Sequence, residues 1–133
     1  MSGKRAEMRA VVDTNVIVSA LMNANGTPAK ILSLILNGKI TVLYDNRIMF
    51  EYREVLSRKE FGFSAEIVSD LLDYIKTDGE FINADLLNMR FIDETDRKFY
   101  EVYKSGRAQC LITGNIKHFP RDDGIMSPKA ALT

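Results

Sequence analysis

The chain has 133 residues, with 18 Lys+Arg against 18 Asp+Glu and a single His, so its formal net charge is zero. At that length one domain is expected, and an apolar share of 46% is enough to build a core. The charge balance excludes a strongly basic nucleic-acid wrapper and an acidic disordered tail. The lone Cys110 excludes a disulfide framework or a multi-cysteine zinc site, which points to a reducing, cytoplasmic setting.

In chain order, residues 1–8 (MSGKRAEM) read as a short polar leader, lacking the apolar centre of a secretory signal, and 9–133 read as one domain. No apolar run reaches the roughly 20 residues of a membrane helix, so no membrane partner is expected. Ala10-Val11-Val12 is a continuous β-branched run, the pattern of a strand buried on both faces of a parallel sheet. It ends at Asp13-Thr14-Asn15, and a helix follows over 16–22. Thr27-Pro28 reads as an N-cap with Pro at the first helical position, opening a helix that stops at Asn37-Gly38. Ile40 to Tyr44 is a second strand, and Asp45 or Asn46 caps a third helix running to about Lys59. Ser64 caps a fourth, with Ile67, Val68, Leu71, Leu72 and Ile75 on one stripe. The stretch 78–91 reads as loop with a short strand. A fifth helix starts near Thr95-Asp96 and ends at Ser105-Gly106, and Cys110 to Thr113 is another buried strand. A short strand near Ile125-Met126 and a turn capped by Ser127-Pro128 close the chain. Strands alternating with helices predict an α/β fold with right-handed crossovers and a parallel sheet.

Open parallel sheets bind ligands beyond the carboxyl ends of their strands. Asp13 and Asn115 both follow strands and fall on that rim. The competing reading of Asp13 is a plain helix cap. On the third helix, Ile48, Met49, Tyr52, Val55 and Leu56 form the inward stripe. Glu51 lies at the stripe's edge, while Glu54 points away. Pairing of Glu51 with Arg47 or Arg58 is its alternative role. Asp96 heads the column Asp96, Phe99, Tyr100, Tyr103 and so points inward, with Asp93 one turn earlier. Both acids could instead complement the helix dipole. Carboxylates gathered on one rim repel one another unless a cation neutralises them, and all-oxygen donors select Mg²⁺ or Mn²⁺. Such an ion activates water and polarises a phosphoryl oxygen, the chemistry of phosphodiester hydrolysis.

These residues sit in stretches that resemble the PIN domain, most closely the VapC-like toxin branch of toxin–antitoxin pairs. The stretches are Val11-Val12-Asp13-Thr14-Asn15-Val16, Glu51-Tyr52-Arg53-Glu54-Val55-Leu56, Asp93-Glu94-Thr95-Asp96, Leu111-Ile112-Thr113-Gly114-Asn115 and Lys117-His118-Phe119. The resemblance spans about Met8 to the C-terminus. It implies a three-layer α/β/α sandwich with a central parallel sheet, a metal-dependent ribonuclease using Mg²⁺ or Mn²⁺, a homodimer, and a cognate antitoxin as protein partner. By position it makes Asp13, Glu51 and Asp96 the metal-binding and catalytic acids. Asn115 stands where many members carry a fourth Asp, so the cluster has one negative charge fewer. Asp93, Asp122 or Asp123 are candidates to compensate. Thr14, Asn15 and Thr113 fall at positions that orient ligands or water.

Lys117, His118 and Arg121 are candidate phosphate contacts, joined by Arg97 and Lys98 in a local positive patch. Cys110 reads as core, and Phe50, off the inward stripe, as an interface residue. Two other functions stand beside the ribonuclease. One is a PIN-like RNA- or protein-binding module whose site is weakened by Asn115. The other is a phosphatase of the haloacid-dehalogenase type, suggested by Val11-Val12-Asp13-Thr14-Asn15 but lacking the second Asp that chemistry needs at position 15.

Overall fold

The computed structural model of the chain describes residues 8–133; residues 1–7 of the expected leader 1–8 lie outside the described residues, and Met8, its last residue, instead opens the first strand. Five strands form one parallel sheet: β1 (Met8–Val12), β2 (Ile40–Tyr44), β3 (Glu80–Phe81), β4 (Cys110–Ile112) and β5 (Ile125–Met126), in the order β3-β2-β1-β4-β5. Between and around them run α1 (Thr14–Met22), α2 (Thr27–Leu36), α3 (Asn46–Leu56), α4 (Ala65–Asp78), α5 (Arg97–Ser105) and α6 (Pro128–Ala131). The parallel sheet is the one expected from the alternation, and the α/β/α sandwich the one that the resemblance implies. No helix among the described residues is long and apolar enough to cross a membrane.

The apolar runs explain why the sheet sits at the centre. Ala10, Val11 and Val12 have no solvent exposure, and neither do Leu111 and Ile112, so both central strands are covered on both faces. Ala10 lies opposite both Val42 and Cys110, and Val12 opposite Ile112. Cys110 is buried in this strand, and burial pushes its thiol up to about 11, which fits a core side chain rather than a nucleophile. Helix α5 lies across β1, β2 and β4, burying Phe99, Val102 and Tyr103.

The order of the strands fixes where a site can form. From β1 the chain moves outward to β2 and β3, then returns past β1 to β4 and β5. The reversal leaves a crevice at the carboxyl ends of β1 and β4, the position where open α/β sheets bind their ligands.

Several local expectations shift by a residue or more. Gly26, not Thr27, precedes α2 as its cap, so Pro28 is the second helical residue. Gly38 follows the helix with φ 76°, the left-handed geometry that a C-terminal glycine supplies. Helix α3 ends at Leu56 rather than near Lys59, and Lys59–Phe61 form a separate 3-10 turn. Ile67, placed on the inward stripe of α4, is exposed. It lies in the first turn of α4, and only Val68, Leu71, Leu72 and Ile75 are buried.

Candidate active site

Asp13 is the first residue past β1, and it serves two purposes. Its Oδ1 accepts from the Asn15 amide at the start of α1, so the capping role is real. Its Oδ2 accepts from the Thr113 hydroxyl at 2.7 Å, which joins the ends of β1 and β4 across the crevice. The Asp13 amide also donates to the Ile112 carbonyl at 2.9 Å. A cap on a surface helix would be solvated; Asp13 and Thr113 are both buried. Burial pushes the Asp13 carboxyl above the ordinary carboxylate range, and the Glu51 charge adds to that. The Thr113 and Asn15 hydrogen bonds and the Lys98 charge oppose it.

Helix α3 delivers Glu51. The buried Tyr52 donates its hydroxyl to the Val12 carbonyl at 2.6 Å, pinning the helix to the last residue of β1. Glu51, one residue earlier, then reaches the rim, where its Oε2 accepts from the Thr14 hydroxyl at 2.5 Å. Its Oε1 lies 2.6 Å from the Lys98 ammonium on α5. The expected local partners are not used: Arg47 pairs with Asp45 and Glu101, and Arg58 pairs with Glu54.

Asp96 ends the 3-10 turn Glu94–Asp96 that leads into α5. The dipole-and-cap role belongs to Asp93, whose carboxylate accepts from the amide and hydroxyl of Thr95; Asp96 makes no cap bond. Instead Asp96 turns inward. Its Oδ2 is buried with no hydrogen-bond donor, and His118 Nδ1 stands 3.3 Å away without the alignment of a hydrogen bond. Burial, then the charges of Asp13 and Asp93, raise the Asp96 carboxyl to about 6, with His118 opposing.

That shift carries a pH signature. The folded protein holds a proton on Asp96 that the unfolded chain, at 3.8, has released, so the folded form binds more protons between about 4 and 6. Stability therefore falls as pH rises through this window, and the unfavourable contribution is fully developed above about 6. Thermal melts in chelator are expected to give a higher midpoint near pH 5 than near pH 7.5, with the slope reduced by Asp96→Asn. An unchanged slope in that variant would assign the effect to other groups.

The remaining candidates lie at the edge. Thr14 is buried against Glu51, and Asn15 is exposed, contributing its backbone amide. Asn115 is exposed, and its amide donates to the Thr113 hydroxyl oxygen; among the described residues its side chain makes no hydrogen bond to the acids. Lys117 and Arg121 are exposed, while His118 faces Asp96. The five-residue positive patch does not form. Arg97 is spent on Glu94, Glu101 and the carbonyls of Leu87 and Met89, and Lys98 on Glu51. Asp122 does not compensate for Asn115, because it accepts from the Tyr103 hydroxyl and the Gly124 amide near β5.

Two residues gain roles that the sequence did not suggest. Lys98 is the internal counter-ion of Glu51. Glu101 is a fully buried carboxylate holding Arg47, Arg97 and the Leu87 amide.

Do these residues suit a divalent cation? Among the described residues, no three of His, Cys, Asp or Glu form a ready ligand group. Glu51 is drawn instead to Thr14 and Lys98. The donor chemistry nevertheless fits a hard ion: two carboxylates whose protonation is favoured by burial and by neighbouring acids, Asp13 by Glu51 and Asp96 by Asp13 and Asp93, with a buried Asp96 oxygen that accepts no hydrogen bond.

Comparison with known proteins identifies the family. The family model described as "PIN domain" matches residues 9–117, which takes in Asp13, Glu51, Asp96 and Asn115. The chain belongs to the PIN domain family, whose members are generally nucleases and typically use divalent metal ions. It is also 33% identical over 116 residues to the uncharacterized protein MJ1680 of Methanocaldococcus jannaschii, covering 84% of this chain and 74% of that protein.

Proposed function

We propose that this protein is a cytoplasmic Mg²⁺- or Mn²⁺-dependent endoribonuclease, acting as the toxin of a toxin–antitoxin pair and as a homodimer. The observation that carries the nuclease reading is the buried Asp96 Oδ2, which accepts no hydrogen bond, has only the His118 ring 3.3 Å away and feels the charge of Asp13, at the crevice between the ends of β1 and β4. The toxin, antitoxin and dimer parts rest on the resemblance of the five quoted stretches.

Asp13 and Asp96 are the residues that would hold the ion. When bound, it supplies Lewis-acid polarisation and a more acidic water. The Thr113 and Asn15 hydrogen bonds hold the Asp13 carboxylate in one orientation. Glu51 keeps spare lone pairs on both oxygens after accepting from Thr14 and Lys98, so it can take the proton of the attacking water. The water oxygen bonds to phosphorus, the P–O bond to the leaving ribose oxygen breaks, and that oxygen leaves with a proton taken from solvent water. Lys117, His118 and Arg121 contact neighbouring phosphates at the rim.

Single-stranded RNA incubated with the protein should be cut in Mn²⁺ or Mg²⁺ and remain intact in chelator. Intact RNA under every metal condition would contradict the reading. One observation favours a second function, an RNA- or protein-binding module without catalysis: Asn115 is neutral and exposed, and among the described residues no three-ligand group is ready-made. RNA binding without cleavage would support that alternative.

A further inference from the structure

A cleft of about 590 Å³ opens directly beside the acidic centre, within the range of about 300–1,000 Å³ typical of small-ligand sites. One wall is α3, which places Phe50 one residue before Glu51 in the same lining, and the other is Glu94, Arg97 and Lys98 at the entry to α5. The Phe50 ring is 72% exposed and contributes nothing to the core. A single exposed apolar side chain is ordinary. A bare aromatic face in the lining that also holds a site carboxylate is a different matter, because the ring and the carboxylate then share one cleft.

The charge of the cleft narrows what the occupant can be. Its cations are Arg47, Arg97 and Lys98, and each already faces a carboxylate: Asp45 and Glu101, Glu94 and Glu101, and Glu51 in turn. Glu54, also in the lining, is held by Arg58. The surface is therefore electrically balanced, with no free cation among these described residues to capture a phosphate. It offers a π face, guanidinium planes and the Asn46 amide, which can both donate and accept. A flat, neutral heterocycle with donors and acceptors on its edge matches that set.

We propose that this cleft seats one unpaired nucleobase of the RNA strand, stacked on Phe50, next to the phosphate that is cut. The inference rests on the ribonuclease reading and adds a base-binding subsite to it. Stacking on an aromatic side chain accepts any base, so Phe50 sets a preference for single-stranded over paired RNA, rather than a sequence. Phe50 is a binding residue, and its effect falls on KM more than on kcat.

The chain contains no tryptophan, so Phe50→Trp installs a sole indole fluorophore at the proposed subsite. The test uses the Asp13→Asn background, in which RNA binds without being cut, and a labelled single-stranded RNA dodecamer followed by anisotropy. The expected results are saturable quenching of the indole emission in Phe50→Trp and an affinity about tenfold weaker for Phe50→Ala, with Phe50→Tyr retaining binding. Binding that leaves the emission and the Phe50→Ala affinity unchanged would overturn the subsite while leaving the ribonuclease reading intact. Unchanged RNA affinity with altered sedimentation of Phe50→Ala would likewise overturn it and assign the ring to a protein interface. No RNA binding by either the wild-type protein or the Asp13→Asn variant would instead remove the ribonuclease reading beneath it.

Discussion

Asp13→Asn is expected to abolish RNA cleavage while leaving the fold in place. The carboxylate is asked for two things that this substitution separates. As a helix cap, Asn is as good as Asp, since its side-chain oxygen still accepts from the Asn15 amide, so stability should change by less than about 1 kcal/mol. The Thr113 hydroxyl, which now donates to Asp13 Oδ2, can donate to the same amide oxygen or accept from the amide nitrogen. As a cation ligand, the amide is far weaker. Losing one charged ligand forfeits several kcal/mol of transition-state stabilisation, a rate reduction on the order of 10³-fold. Removing the charge also relieves repulsion on Glu51 and Asp96, so the metal-free variant should melt no lower than the wild-type protein near pH 7.5. Initial rates on single-stranded RNA and melts in chelator check both halves. Full activity would show that Asp13 is only a cap.

Glu101→Ala is expected to be strongly destabilising. Glu101 has no solvent exposure, yet it carries a charge. Burial opposes that charge, but the Leu87 amide, Arg47 and Arg97 outweigh it and hold the carboxyl below its ordinary range. Truncation would strand two guanidinium groups and one backbone donor. Breaking such a buried network costs about 3 kcal/mol, here at the low end because both arginines keep some contact with water. For a chain of this length that corresponds to a drop of the order of 10 °C in Tm. Because the depressed carboxyl contributes stability above its unfolded value and loses it on acidification, the difference between wild type and variant should shrink below about pH 4. The network also carries the site: Arg47 sits in the first turn of α3, upstream of Glu51, and Arg97 follows Asp96 directly while tethering the carbonyls of Leu87 and Met89. Activity should therefore fall along with stability. A loss below about 1 kcal/mol would mean that the arginines find other partners.

The sequence made the sheet and much of the rim legible because both rest on local patterns. A parallel strand buried on two faces must be apolar throughout, which is how Ala10 to Val12 and Cys110 to Ile112 declare themselves. A polar residue directly after such a run, as at Asp13, then has to lie at the strand end; Thr113, read as the last residue of its strand, takes the same place because β4 ends at Ile112. Asp96 was legible through the aromatic column that its helix buries. The unread parts depend on partners distant in the chain. Nothing near Glu51 announces Lys98, which comes from α5, and Arg47 and Arg58 looked better by spacing alone. Glu101 looks like any solvated acid until Arg47, which lies 54 positions away, folds against it. Its one local hint was its place within the buried stretch from Phe99 to Tyr103. Ile67 shows the reverse error, since periodicity predicts an inward direction even where the neighbouring elements do not extend.

The central claim is that Asp13 and Asp96 form a divalent-cation site at the crevice between β1 and β4. Calorimetric titration of the protein with Mn²⁺ tests it most directly, alongside Asp13→Asn and Asp96→Asn. Saturable binding by the wild-type protein is expected at millimolar Mn²⁺ or below, lost in both variants and weakened below about pH 6, where protons compete for Asp96. No heat of binding at millimolar Mn²⁺, together with RNA cleavage that survives Asp13→Asn, would contradict it.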